Sequence, residues 1–236
     1  MFIKQFKFIS KLVNQSQAHL EFFIKDANFP YLISFPRTGS HWFRMILELY
    51  SDRPLLTRSF FKHSNKDYLL LHTHDMNLSE QRKNVIYLYR YPTDVIFSQL
   101  NYYGQPTDND FFIRFWTNQY SHHLIHWLFL EEKAEKKLVI SYEQMRQDIC
   151  MVYKKVCEHL NLEFDKERLQ SVAKQIDKEK VATKTRHDPQ VINKGEDYQY
   201  RQTQFKTKYD SLVMNLFAEN SNTILGNKEK LLAVFS

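Results

Sequence analysis

The sequence predicts an α/β fold, one domain with a central parallel sheet flanked by helices. Short apolar runs of strand length alternate with stretches of helical period, the order that builds a parallel sheet covered on both faces. The length of 236 residues suits a single domain. A composition of 43% hydrophobic and 25% charged residues supports a buried core and excludes a disordered chain. No apolar run approaches the roughly 18 residues of a membrane span. Repeat, collagen-like and low-complexity patterns do not occur in the sequence.

Residues 2–24 read as a helix, because Phe2, Phe6, Ile9, Leu12 and Val13 recur near helical spacing among Lys4, Lys7 and Lys11. The lysines interrupt the apolar run and no small-residue cleavage site follows, which argues against a secretion signal. A basic amphipathic helix of this kind packs on its own domain or lies on a membrane surface, and both readings stay open. Tyr31–Phe35, bounded by Pro30 and Pro36, reads as a buried strand. Gly39–Tyr50 follows with Trp42, Met45, Ile46 and Leu49 at helical spacing. Leu69–His72 and Val85–Tyr89 are the second and third strands, and Pro92 opens a helix that runs to about Tyr102. Asp108–Lys136 reads as mostly helical and rich in aromatics, Leu138–Ser141 as the fourth strand, and Glu143–Leu160 as a helix. Residues 174–208, highly charged and without a steady period, read as a partly mobile loop. Residues 1–28 are thus an N-terminal helical segment, 29–205 the core and 206–236 a C-terminal helical segment.

The net charge of +6 and pI near 9.1 favour anionic partners. Nucleic acid, anionic lipid, a phosphorylated cofactor and an acidic glycan would each satisfy that balance. Two cysteines, Cys150 and Cys157, make neither a disulfide framework nor a thiolate zinc site, and a reducing compartment follows most simply.

A parallel sheet places ligands at the carboxyl ends of its strands. The candidate sites should therefore follow Phe35, His72, Tyr89 and Ser141. After the first strand comes Pro36-Arg-Thr-Gly-Ser-His-Trp42, opening a helix. A strand, a glycine turn and a helix N-terminus make an anion cradle, since unpaired N–H groups and the positive dipole end converge there. Ser40 adds a hydroxyl and Arg37 a cationic fork. An ordinary strand-to-helix turn with an N-cap serine fits the same residues. The loop lacks the full G-x-x-x-x-G-K-[ST] pattern, and no Lys-Ser/Thr pair is placed to hold magnesium. After the third strand comes Arg90-Tyr-Pro-Thr-Asp-Val-Ile-Phe-Ser98, where Arg90 and Ser98 can hold a second phosphate, or Arg90 can simply pair with Asp94.

In this order and at this spacing the segments resemble the sulfotransferases that use 3′-phosphoadenosine-5′-phosphosulfate (PAPS) and release adenosine 3′,5′-bisphosphate (PAP). Pro36–Trp42 is similar to the family's 5′-phosphosulfate loop, P-[KR]-[ST]-G-[ST]-x-W. Arg90 and Ser98 match its 3′-phosphate pair within R-x-P-x-D-x-x-x-S. His72-Thr-His74 resembles a K-T-H segment whose histidine is the base, Ser141-Tyr-Glu143 the Y-E whose tyrosine contacts adenine, and Asn193-Lys-Gly195 the late R-K-G loop over the 3′-phosphate. Tyr200-Arg201 fall where that loop continues W-K. Three positions depart from the cytosolic pattern: Arg37 and His72 stand where it has lysine, and Asn193 replaces an arginine. The resemblance spans about residues 31–205 and implies a P-loop NTPase-like sulfotransferase fold.

The resemblance further implies a donor site of Arg37, Thr38, Gly39, Ser40, His41, Trp42, Arg90, Ser98, Tyr142, Lys194 and Gly195, with no metal. Arg37 and His74 would be catalytic, the first steadying charge on the leaving phosphate and the second taking the acceptor's proton. His41, or a carboxylate at Glu48, is the fallback base. His122, His123 and His126 read as a polar face rather than a metal site, and Phe111–Phe129 as core and part of an acceptor wall. The expected acceptor is a hydroxyl on a glycan or glycolipid, with an aromatic small molecule still open. No nucleic-acid partner is expected, and the enzyme is expected in the cytoplasm, in contact with a membrane surface at most through its first helix. A nucleotide-dependent phosphotransferase, or a basic module binding nucleic acid or anionic membrane, is the alternative.

Overall fold

A computed structural model of the chain describes residues 20–21, 24–65, 67–78, 80–130, 133–185 and 197–236. Four strands, β1 (Tyr31–Ser34), β2 (Leu71–Thr73), β3 (Arg82–Tyr89) and β4 (Ala134–Ser141), form one sheet in the order β2-β1-β3-β4. Every neighbouring pair is parallel, with Leu32 opposite both His72 and Ile86, and Tyr89 opposite Ser141. The helices are α1 (Ser40–Ser51), α2 (Pro92–Tyr102), α3 (Asp110–Phe129), α4 (Tyr142–Gln147), α5 (Ile149–Leu160), α6 (Lys166–Gln175), α7 (Lys178–Lys184), α8 (Tyr198–Leu225) and α9 (Lys228–Leu232).

The apolar runs form strands buried on both faces, and the alternation of side chains sorts them into two cores. Leu32, Ile86, Leu88 and Ile140 pack with Phe43, Ile46, Val152, Val156 and Leu169 of α1, α5 and α6. Ile33, Phe35, Val85, Tyr87 and Tyr89 pack with Val95, Tyr120, Leu124, Val213 and Phe217 of α2, α3 and α8. The connection leaving β1 and the one leaving β3 run to opposite sides, so the crevice between these two strands is the topological switch point.

Three boundaries differ from the sequence expectation. The helix over 108–136 stops at Phe129, and β4 begins at Ala134 rather than Leu138. As an edge strand, β4 carries Glu135, Lys136 and Lys137 in a polar first half that lacks a strand's apolar signal. Lys137 Nζ donates to the Trp127 and Leu128 carbonyls at 2.9 and 3.0 Å, which satisfies the end of α3. The helix over 143–160 is two helices, because Asp148 leaves helical geometry (φ −147°, ψ 89°) and its carboxylate accepts from Met151 N–H at 2.9 Å. Much of the segment 174–208 is helical. Asp177 caps α7 by accepting from Lys180 N–H at 2.7 Å, and α8 starts at Tyr198. Most of the N-terminal helix expected over 2–24, together with Arg186, Asn193, Lys194 and Gly195, lies outside the described residues. Of that helix, Leu20 and Ile24 pack against the core and Glu21 pairs with Arg82 at 2.8 Å. Among the described residues, no helix is long and apolar enough to cross a membrane.

Candidate active site

The loop after β1 turns through two left-handed residues, Arg37 (φ 75°) and Gly39 (φ 94°), before α1 begins at Ser40. Thr38 Oγ1 donates to the Phe35 carbonyl at 2.9 Å and closes the turn. Among the described residues no side chain caps α1, a helix N-terminus of the kind that can receive an anion. At Gly39 a Cβ would come within 2.5 Å of the Tyr142 ring, so the glycine is required by both its backbone angle and that ring.

Tyr142 opens α4 at the end of β4, and its ring gathers residues that the sequence reading expects in the donor site. It lies over Gly39, meets Trp42 edge-on at 5.9 Å between centroids, and carries the Arg90 guanidinium 4.6 Å from its centroid. Trp42 is held in turn, its Nε1 donating to the Ile176 carbonyl at 3.0 Å. Arg37 Nε donates to Ser98 Oγ at 3.0 Å, which ties the loop after β1 to α2, and its guanidinium lies 4.9 Å from the Tyr102 ring centroid. Arg90 does sit beside Asp94, at 3.6 Å, but its Nε is buried without a hydrogen-bond partner among the described residues. Residues placed in the donor site from the sequence are thus brought together at the ends of β1, β3 and β4. Arg201 stands apart on α8, bound to Asp197 and Asn101.

The end of β2 carries the histidines, and their partners determine their tautomers. His74 Nδ1 lies 2.5 Å from the Ser34 carbonyl, which only accepts, so Nδ1 holds the proton and Nε2 keeps a lone pair. Arg44 only donates, so His72 Nδ1 accepts from its guanidinium at 3.3 Å and Nε2–H donates to Ser34 Oγ at 3.1 Å. Arg44, buried on α1, therefore brings a cation to the position where the resemblance expects a lysine. Burial pushes His74 below its ordinary value; the Ser34 bond opposes the shift and the Arg44 charge adds to it. Burial, then the Arg44 charge, pushes His41 down to about 3 and His72 well below 6.5. All three imidazoles are neutral near pH 7.

Glu48 is fully buried and committed elsewhere. Its carboxylate accepts from Phe60 N–H at 2.9 and 3.0 Å, from Phe61 N–H at 2.9 Å and from His63 Nε2 at 2.7 Å, anchoring the loop that follows α1. Glu48→Ala is expected to cost about 3 kcal/mol in denaturant unfolding, since it strands three buried donors. Burial opposes charge on His63, but Glu48 and Asp52 outweigh it and raise the imidazole above 6.5. That stabilisation is present below the unfolded-state value and is lost as pH rises through the folded one. His63→Gln should therefore destabilise more at about pH 6 than at about pH 9, measured the same way.

Among the described residues, no group of three or more His, Cys, Asp or Glu side chains is arranged to hold a metal ion. Both ring nitrogens of His123 are already bonded, one to Tyr87 and one to the backbone of His74. Two residues with a hold on this site, Arg44 and Tyr120, have no mark in the sequence. Arg44 is one turn after Ser40 on the same helix, the one spacing that could have pointed to it.

A model of the sulfotransferase domain family matches residues 57–215. No curated protein matches the sequence significantly. Among solved structures, mouse sulfotransferase SULT7A1 complexed with PAP superposes with a TM-score of 0.62 at 16% identity, over 94% of this chain and 93% of that one. Retinol dehydratase in a complex with retinol and PAP gives 0.59 at 12% identity, over 86% and 83%. Its complex with androsterone and the inactive cofactor PAP gives 0.53 at 10%, over 83% of each chain. At these identities the likenesses establish the fold, and the family match covers more than half of the chain. The chain belongs to the sulfotransferase domain family.

Proposed function

We propose that the enzyme moves a sulfuryl group from PAPS to an acceptor hydroxyl, with His74 as the general base. The observation that carries this reading is the bond from His74 Nδ1 to the Ser34 carbonyl, which leaves Nε2 as the proton acceptor on a neutral ring. The residues fit an anionic, nucleotide-bearing donor. The Gly39 turn is a cradle that a Cβ would fill, the buried Arg90 Nε has no acceptor among the described residues, and Tyr142 and Trp42 offer aromatic surfaces beside it. When bound, PAPS supplies the sulfuryl group and a phosphate leaving group.

Arg37, Ser40 and the first-turn amides of α1 would hold the phosphosulfate end, with Thr38, His41 and Trp42 lending backbone to the same turn. Arg90 and Ser98 would hold the 3′-phosphate, joined by Lys194 and Gly195 from the late loop, and Tyr142 would contact the adenine. His74 Nε2 takes the acceptor's proton as the new O–S bond forms, while Arg37 offsets the charge that gathers on the departing phosphate oxygen. A sulfuryl group carries less negative charge than a phosphoryl, so cationic side chains and amides suffice without a metal ion. For the acceptor, Tyr102 lies against Arg37, and Tyr103 stacks on Trp116 at 5.2 Å between centroids. These rings support an acceptor with an apolar face, such as a sugar ring of a glycan or glycolipid. The retinol and androsterone in the complexes of retinol dehydratase support an apolar alcohol as the second reading.

Transfer of labelled sulfate from PAPS to a panel of glycans, glycolipids and apolar alcohols tests the proposal, with and without a chelator. Transfer that persists in chelator is expected. Phosphoryl transfer from ATP that stops with chelator would overturn it.

A further inference from the structure

We propose that Tyr120 and His123, on one face of α3, are positioning residues that set the geometry of the active site, Tyr120 through Arg90 and His123 through His74. The inference rests on the reading of Arg90 as a donor ligand and His74 as the base.

Both target residues lie one position beyond a strand, where the sheet ladder stops and backbone groups must find other partners. For Arg90 both partners are one hydroxyl: Tyr120 Oη accepts from Arg90 N–H at 2.9 Å and donates to the Arg90 carbonyl at 2.6 Å. For His74 the partner is an imidazole. His123 Nε2 lies 2.7 Å from the His74 carbonyl, which only accepts, so Nε2 carries the proton. His123 Nδ1 then accepts from the Tyr87 hydroxyl at 2.8 Å, and the Tyr87 ring is stacked beside it at 5.6 Å between centroids. The base is thus held twice, at its ring by Ser34 and at its carbonyl by His123.

The same face reaches the third strand end. Phe35, which begins the loop after β1, packs its ring at 4.8 Å from Tyr120 and 5.5 Å from His123. One helix face therefore touches the chain just past β1, β2 and β3, and fixes where the donor loops stand relative to the base. Tyr120 and His123 are buried, at 0% and 1% exposure, and apolar residues would fill such a core without the desolvation cost. Their polar atoms serve the backbone of two site residues. A displacement of about 1 Å at a reacting group can cost roughly 100-fold in rate, so such supports matter to turnover.

The test compares Tyr120→Phe, His123→Phe and His123→Gln, reading kcat, KM for PAPS, PAP affinity and thermal stability, with His123→Phe also made in a His74→Ala background. Tyr120→Phe keeps the ring and removes both bonds; it is expected to weaken PAP and raise KM for PAPS about 10-fold, with a smaller change in kcat. His123→Phe is expected to lower kcat by about 10- to 100-fold with PAP affinity nearly unchanged. His123→Gln, which keeps an N–H donor, should recover part of that loss. With His74 already removed, His123→Phe should cost no further activity, as two residues acting through one group are not additive. Should His123→Phe not fold, Tyr87→Phe and His123→Gln carry the same comparison.

Lowered thermal stability with kcat, KM and PAP affinity all unchanged would overturn the inference, and so would an undiminished His123 effect in the His74→Ala background. Full activity of His74→Ala alone would overturn the base reading and the His123 half with it, whereas the Tyr120 half stands or falls on PAP affinity.

Discussion

His74→Ala is expected to lower kcat by about 10²- to 10⁴-fold while PAP affinity stays within a few-fold of wild type. The loss should be this large because the neighbouring candidate bases among the described residues are not free to take over. Glu48 is enclosed by two backbone amides and His63, and His72 Nδ1 is occupied by Arg44. His41 is held down to about 3 by burial and by Arg44, which makes it a poor proton acceptor. The pH dependence has a definite sign. A base at His74 would work as the neutral imidazole, and burial moves His74 below 6.5, so kcat should be level across neutral pH and fall only on the acid side. Steady-state kinetics over pH checks both parts. A His74→Ala enzyme near wild-type kcat, or an acid limb centred above about pH 7, would contradict the assignment.

The second large effect is expected at Gly39. Alanine there meets a backbone angle of φ 94° and places its Cβ 2.5 Å from Tyr142 Cδ2 and 2.8 Å from Cε2. The ring has to leave, and with it go the contacts that join Gly39, Trp42 and Arg90. Gly39→Ala should therefore weaken PAP about 100-fold and destabilise the fold by about 1–3 kcal/mol. Adding Tyr142→Ala relieves the collision but not the backbone strain. The double variant should regain stability and stay weak in PAP binding if Tyr142 contacts the adenine. Calorimetry and thermal unfolding together separate the two contributions; wild-type PAP binding by Gly39→Ala would remove the cradle from the account.

Much of the fold, and the clustering of the candidate residues, was legible because the loops that follow parallel strands lie at one edge of the sheet. Tyr31–Phe35 and Val85–Tyr89 are apolar enough to declare buried strands, and Arg37, His74, Arg90 and Tyr142 are each a short step past a strand. Once four strands are read as parallel, those residues share one edge without further information. What escaped depends on tertiary partners. The first half of β4 is polar because an edge strand needs no apolar face there, and the break at Asp148 is a capping choice within an otherwise helical run. Arg44 and Tyr120 look like an ordinary helix cation and a core aromatic; only His72 and the Arg90 backbone show what they hold. Glu48 looked available as a base because burial by the loop after α1 has no signature in the sequence.

The most direct measurement is titration calorimetry of the wild-type enzyme and Arg90→Ala with PAP, with AMP, and with ATP plus magnesium. Wild-type selectivity for PAP over AMP, reduced by about 10- to 100-fold in Arg90→Ala, is the result expected if Arg90 holds a 3′-phosphate by charge-assisted hydrogen bonds. Equal, weak and salt-sensitive binding of all three nucleotides, unchanged by the substitution, would contradict a PAPS site at this edge of the sheet.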